Sequence, residues 1–429
     1  MTALRSGPFR SRSFRWVWSG EAISMLGDMS YEVVFAWLVL TVTGSPAALA
    51  GVLLATTIPR GLLLLVGGAI TDRVSPRLVM LGSHLVRGVA VGPLAALGAA
   101  GDLEVWHLYA VGVTAGVAEA FFWPASGSII PSLVPAQDMP RANALVGVAE
   151  QVSRMVGPAL GGALMSVASA PVALGFNALT FFVAAGTVLA APRREAGSSA
   201  RLSPRTLLRE IGSGLAYAGR NVEVRIVLLL VSAATLSYSG LFAVGLPALS
   251  RNFDNGSLVL GAMLSAWGLG QLVGSLSAAA TGLPRRWGLL IIGMTIAEGV
   301  SFAALGVVPH PLLAIVLLTL LGIGVAYSSD VALPTFVQTR TPEAMLGRVN
   351  SVIDLPRVTL SPLSIAGIGL LAAVDVRWAF AVASIPLLLT GFGLAASPRA
   401  RTLTTGPSSD RPHAVEPSVP PRPPSSVQR

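Results

Sequence analysis

Twelve stretches of this chain stay apolar for about as long as a helix needs to cross a bilayer, and that spacing limits the fold more than any other feature. They fall at 16–42, 46–70, 77–100, 104–130, 141–168, 171–191, 223–249, 257–281, 286–307, 311–336, 345–373 and 377–396. A helix needs roughly 20 residues to span about 30 Å of hydrocarbon. Hydrocarbon offers no hydrogen-bond partner, so backbone N–H and C=O groups must be satisfied internally, which leaves helices or a closed barrel. The alternation of barrel strands, in segments of about ten residues, is absent. The expected fold is an all-α polytopic membrane protein with twelve transmembrane helices. Composition agrees, since 53% of residues are hydrophobic and 11% are charged, against roughly 25% charged in a soluble domain.

The joints are short and carry turn chemistry, as at Thr43-Gly44-Ser45-Pro46, Ala100-Gly101-Asp102 and Pro309-His310-Pro311. Longer polar stretches divide the chain into an amino tail (1–15), a six-helix bundle (16–191), a basic linker (192–222), a second six-helix bundle (223–396) and a carboxyl tail (397–429). The tail, rich in Pro, Ser and Arg, is expected to be disordered. Residues 203–219 of the linker have helical apolar spacing behind Ser203-Pro204, which predicts a short surface helix. All 29 basic residues are Arg. With loops assigned alternately to the two sides, 22 arginines fall on one side, only Arg251 and Arg377 on the other, and five within apolar segments. By the positive-inside rule both termini and the linker are cytoplasmic, in a multi-pass protein of the inner membrane. The first apolar run is too long for a cleaved signal peptide and reads as a retained span.

A weak repeat straddles the linker. Pro131-Ser132-Leu133-Val134 and then Arg141-Ala142-Asn143 are echoed by Pro334-Thr335-Phe336-Val337 and then Arg348-Val349-Asn350, while Glu150, Arg154 and Pro158 are echoed by Asp354, Arg357 and Pro362. Two halves related by a parallel repeat place the echo there. The formal net charge of +9 could point to nucleic acid, yet the arginines gather in short segments between apolar runs. There is no Cys, and four scattered His (His84, His107, His310, His413) suggest no metal site. With no Lys there is no Gly-x-x-x-x-Gly-Lys phosphate loop, and no nucleophile–base set is visible. Neither a cofactor nor an enzymatic activity is expected, so energy must come from an ion gradient or the substrate's own.

Charges inside the spans are the informative residues, because each costs several kcal/mol in hydrocarbon and usually faces a cavity or a partner. Helix 1 carries Glu21, Asp28 and Glu32 on one face, helix 2 Arg60, helix 3 Arg87, helix 4 Glu119, and helix 5 Glu150 with Arg154 one turn later. The second half offers Glu298, Asp330, Asp354 and Arg357. Poor solvation favours the neutral form of a carboxyl group and a nearby arginine favours the charged form, so such a group can take up and release a proton as a cavity opens. Asp28, Glu32 and Glu119 are therefore the proton-coupling or cation-binding candidates, against structural ion pairs with Arg60 or Arg87. Glu150–Arg154 and Asp354–Arg357 have the spacing of self-neutralising helix pairs and suit a structural or gating role.

Loop 2–3 reads Gly68-Ala69-Ile70-Thr71-Asp72-Arg73-Val74-Ser75-Pro76-Arg77. It resembles the signature loop of the major facilitator superfamily, with an acid four residues after the Gly, a base beside it and another base four residues on. It departs from that pattern at Ser75 and Leu78. The resemblance implies that Asp72 meets helix ends across the halves and that Arg73 and Arg77 hold an inward-closed gate. Loop 8–9, Gly282-Leu283-Pro284-Arg285-Arg286, keeps the bases without the acid. Helix 5 contains Gly157-Pro158-Ala159-Leu160-Gly161-Gly162, similar to the end of the antiporter motif of that superfamily, although Ala144 and Ser153 replace its upstream glycines. Small residues there permit close helix packing. Phe14-Arg15-Trp16-Val17-Trp18-Ser19-Gly20, Leu26-Gly27-Asp28, Leu40-Thr41-Val42-Thr43-Gly44-Ser45-Pro46 and Trp123-Pro124-Ala125 resemble the drug:proton antiporter branch that includes macrolide efflux proteins and the enterobactin exporter. That likeness implies two six-helix pseudo-repeats, outward movement of an amphipathic small molecule in exchange for protons, and a monomer whose partners are substrate, protons and lipid bilayer rather than nucleic acid. Uptake or facilitated exchange of a metabolite and a non-transporting sensor stand as alternatives.

Overall fold

The computed structural model describes residues 7–71, 74–192, 219–282, 286–341 and 343–403, with 212, 216 and 284. Asp72, Arg73 and nearly all of the predicted linker helix at 203–219 lie outside the described residues. Twelve long helices run through the rest: α1 (Arg12–Thr43), α2 (Pro46–Thr71), α3 (Pro76–Ala100), α4 (Val105–Leu133), α5 (Met139–Val167), α6 (Ala170–Val188), α7 (Val222–Ser250), α8 (Gly256–Thr281), α9 (Trp287–Leu305), α10 (Pro311–Arg340), α11 (Met345–Val374) and α12 (Val376–Ala396). Eleven are long and apolar enough to cross a membrane. The exception is α5, whose Arg141, Glu150, Gln151 and Arg154 dilute its apolar residues. It is covered by protein on two sides, which explains how a less apolar helix is kept.

The ends follow from local chemistry. Ser11 Oγ accepts from Phe14 N at 3.2 Å and starts α1. Gly44 ends it in the left-handed region (φ 68°), a conformation that favours glycine, with its N–H on Leu40 O. Pro46, Pro76 and Pro311 occupy first-turn positions, where no backbone N–H is missed. Asn221 and Asp375 cap α7 and α12 through their side chains. Two helices widen into π-turns, at Leu241–Gly245 in α7 and Ala326–Ala332 in α10. Pro334 has no N–H to give the carbonyl of Asp330, so the α-helical ladder is broken there. Leu360 interrupts α11 between Pro356 and Pro362. The carboxyl tail departs from expectation at its start, because Pro398–Arg401 form a helical turn and Leu403 O accepts from Gly288 N at 3.0 Å, docking it on α9.

Short joints make neighbouring helices antiparallel, so the described chain begins and ends at one face, here the terminus-bearing end. The packing repeats with a shift of six helices. In the first bundle α2 packs on α4, α3 on α6 and α1 on α5; in the second α8 packs on α10, α9 on α12 and α7 on α11. The contacts between bundles obey the same shift, α2 against α11 and α5 against α8. This is the symmetry of two six-helix pseudo-repeats.

The bundles meet at the end opposite the termini. There Arg251 Nη1 donates to Gly44 O at 2.9 Å, and Gly369 of α11 lies against Ala50 and the Pro46 carbonyl of α2. Toward mid-membrane Ser265 Oγ accepts from Ala159 N at 2.8 Å and Gln151 Nε2 donates to Gly268 O at 2.9 Å. Nearer the termini the facing surfaces part. Gly147 lies on the same face of α5 as Glu150 and Arg154, and Gly347 on the same face of α11 as Asp354. A methyl group built on either would meet nothing within 4 Å. The central cavity therefore opens toward the terminus-bearing end.

Candidate transport site

Asp28 of α1 faces Arg87 of α3, whose Nη1 donates to Oδ2 at 3.2 Å. Arg87 is only 4% exposed. Its guanidinium lies 4.6 Å from the ring centre of Phe122 and 4.3 Å from that of Phe181, so two aromatic faces replace part of its lost hydration. Its Nη2 reaches His84 Nδ1 at 3.3 Å, and His84 Nε2 reaches Glu21 Oε1 at 2.8 Å. Arginine has donors only, so Nδ1 must accept, which puts the ring hydrogen on Nε2, donating to Glu21. A continuous chain, Glu21–His84–Arg87–Asp28, thus joins two acids of α1 by way of α3. His84 and Arg87 are one turn apart on α3, and Glu21 and Asp28 two turns apart on α1, so long side chains bridge two helices that pack mainly on other neighbours, α1 on α5 and α6 and α3 on α6 and α4.

Arg60 of α2 pairs with Glu119 of α4 at 3.0 Å, with both side chains partly open to the cavity. Glu32 is exposed although its neighbours Val33 and Val34 are fully buried, and it makes no hydrogen bond or ion pair among the described residues. Glu150 and Arg154 pair at 2.6 Å along α5, and Asp354 and Arg357 at 2.8 Å along α11, all four open to solvent. Of the three coupling candidates, then, Asp28 and Glu119 each hold one arginine and Glu32 holds none. In the second bundle Asp330 sits in the π-turn of α10, at 3.5 Å from Gln271 Nε2; such turns recur at functional sites. Glu298 is 5% exposed beside Tyr238, which packs with Phe242, Trp267 and Phe302 at 4.6–5.6 Å between ring centres.

The sequence from residue 3 to residue 417 matches the family model described as transmembrane secretion effector. The chain belongs to this family of the major facilitator superfamily. Macrolide efflux protein A of Streptococcus pyogenes is 24% identical over 342 residues, covering 79% of this chain and 84% of that protein. Enterobactin exporter EntS of Shigella boydii is 27% identical over 331 residues, covering 77% of each. Among solved structures, a variant of nucleoside transporter NupG superposes with a TM-score of 0.71 at 12% identity, covering 90% of this chain and 99% of that one. A bacterial homologue of the iron transporter ferroportin, in an inward-facing state, superposes with a TM-score of 0.67 at 18% identity, covering 90% and 98%. The fold is that of the superfamily, and the protein is a secondary transporter rather than an enzyme.

In this major facilitator transporter the helix-5 motif packs two helices at once. Gly157 and Gly161 lie against Met29 and the Ser30 carbonyl of α1, while Gly162 lies against Ser257 and Gly261 of α8, and the Pro158 carbonyl also touches Gly261. A side chain at any of these glycines would meet backbone. In loop 2–3, Arg77 donates to Leu189 O at 2.8 Å and to Val188 O at 3.3 Å. It thus ties α3 to the carbonyl end of α6 within the first bundle, a favourable place for a cation. Gly68 has open space, and the glycine of that stretch that permits close packing is Gly67, against the Ala120 carbonyl. His84 was set aside in the sequence as one of four scattered histidines; its spacing of three from Arg87 was the signal available.

Proposed function

We propose that this transporter exports an amphipathic small molecule in exchange for protons by alternating access, with Asp28, Glu119 and Glu32 as the proton or cation sites. The observation that carries the reading is the unequal partnering of three acids around one cavity. Protonating Asp28 or Glu119 frees Arg87 or Arg60 from its partner, whereas a cation entering the cavity competes for the same carboxylates and for Glu32. Proton and substrate then exclude one another, as antiport requires. The export direction draws support from two relatives named for efflux of macrolides and export of enterobactin. The arginine distribution supports a cytoplasmic position for the terminus-bearing end, and so a cavity open to the cytoplasm, in an inner membrane. Residues 16–191 and 223–396 move as the two rocking bodies, with Arg73, Asp72 and Arg77 as the latch on the cytoplasmic side.

In everted vesicles energised to an acid interior, adding a macrolide, enterobactin or ethidium is expected to release protons. Glu119→Gln should cut that response by about tenfold or more at equal protein level, since an unprotonatable group at the site removes an interaction of more than about 1.4 kcal/mol. A response from the variant equal to the parent's, or a parent response no larger than that of vesicles lacking the protein, would sink the reading.

A further inference from the structure

The six-helix repeat sets a buried polar position of one bundle against that of the other. Arg15 and Asp28 of α1 stand at the same spacing as Arg225 and Tyr238 of α7, and Leu81-Gly82 with Arg87-Gly88 of α3 at the same spacing as Ile292-Gly293 with Glu298-Gly299 of α9. The packing agrees with that register, since Gly88 lies against Phe182 of α6 and Gly299 against Leu388 of α12. Where the first bundle holds the Asp28–Arg87 pair, the second therefore holds Tyr238 and Glu298. The cation is replaced by an acid. Glu298 is 5% exposed, and among the described residues no arginine or histidine acts on it: Tyr238 of α7 lies beside the carboxyl, and Asp330 of α10 is the other titratable group that faces it. The one charged residue of α12, Arg377, lies in its first turn, away from Leu388. Arg154 of α5 and Arg357 of α11 act on Asp330 and are held by Glu150 and Asp354. The Tyr238 hydroxyl is buried and has no partner but this carboxyl.

We infer that Glu298 is a proton-binding site of the second bundle, reached from the central cavity through the Tyr238 hydroxyl. A carboxylate shut off from water with no cation beside it costs far more than the neutral acid. A phenol O–H donates to the charged carboxylate and its oxygen accepts from the neutral acid, so Tyr238 serves both forms. On uptake the carboxylate takes the phenol proton while the phenol oxygen takes one from Asp330 or from cavity water; release reverses both transfers. Asp330 marks the cavity end of this path, exposed in the π-turn of α10 with Gln271 Nε2 at 3.5 Å. Phe242, Trp267 and Phe302 surround the Tyr238 ring and keep the inner end dry. The site rests on the proton-exchange reading for its part in transport, where it adds a group on the rocking body that lacks Asp28 and Glu119. Its protonation can be measured without any substrate.

The test is infrared spectroscopy of the purified full chain in detergent. The parent is expected to show the carbonyl band of a neutral carboxyl that is lost in Glu298→Gln and kept, at a shifted frequency, in Glu298→Asp; the aspartate variant answers the question alone if the glutamine one does not fold. The band should move on transfer to heavy water. Tyr238→Phe, which keeps the ring on Phe302, should slow that exchange about tenfold or more. With ethidium added, Glu298→Gln should release about one proton fewer per ligand bound than the parent. A spectrum that neither variant of Glu298 alters, or a Glu298 band that neither exchanges nor titrates, overturns the site. Exchange in Tyr238→Phe as fast as in the parent overturns the path, and undiminished proton release in Glu298→Gln overturns its part in transport. A band that behaves as expected in a parent releasing no protons with ethidium would instead overturn antiport and leave the proton site standing.

Discussion

Arg87→Met is expected to destabilise the protein by about 3–5 kcal/mol, the usual cost of removing one member of a buried ion pair. Methionine fills the slot between Phe122 and Phe181 with a flexible apolar chain that suits aromatic neighbours. The loss is therefore electrostatic: Asp28 is left with no cation at 3.2 Å, and His84 Nδ1 loses its donor. Asp28→Asn in the same chain should restore a large part of the stability, since the stranded charge is gone. A double-mutant cycle on denaturant unfolding in detergent reads the coupling. A single variant as stable as the parent, or a double variant no better than the single, would show that Arg87 is not Asp28's counter-ion.

The second large effect is expected at the seam between the bundles. Gly162 has no room for a side chain, because the Ser257 carbonyl and Gly261 of α8 lie where its Cβ would be. Leucine there strains only the state in which the far ends are together, and overpacking of this kind costs about 1–3 kcal/mol. The shift toward the opposite state should be roughly tenfold. The chain has no cysteine, so one introduced by Ser250→Cys, fully buried near the far end of α7, reports opening through its rate of maleimide labelling. Gly162→Leu should speed labelling about tenfold. Gly161→Leu, which strikes the Ser30 carbonyl inside the first bundle, should lower folded yield without that acceleration. Equal labelling in parent and Gly162→Leu would mean that α5 and α8 stay together in every state.

The twelve spans were legible because a bilayer imposes one length on all of them, and boundaries shifted by only a few residues where caps such as Ser11 and Asn221 act. The ion pairs were half legible. Helix-local pairs such as Glu150–Arg154 follow from spacing alone, whereas Arg60–Glu119 and Arg87–Asp28 each join residues 59 positions apart, so only the packing of α2 on α4, and the reach of the Arg87 side chain from α3 to α1, select them. His84 was missed because its partner Glu21 lies 63 positions away. The π-turns were invisible, since the prolines that accompany them resemble those of ordinary bent membrane helices. Gly67 and Gly68 are adjacent and alike in sequence, and only the approach of Ala120 separates them.

The most direct test of antiport is proton release by the purified transporter in weakly buffered detergent as ethidium or a macrolide is added, compared with Asp28→Asn and Glu119→Gln. Protons released in proportion to the ligand bound, and lost in these variants while ligand still binds, are the expected result. Ligand binding with no release at any pH from 6 to 8 would contradict exchange of substrate for protons at these carboxylates.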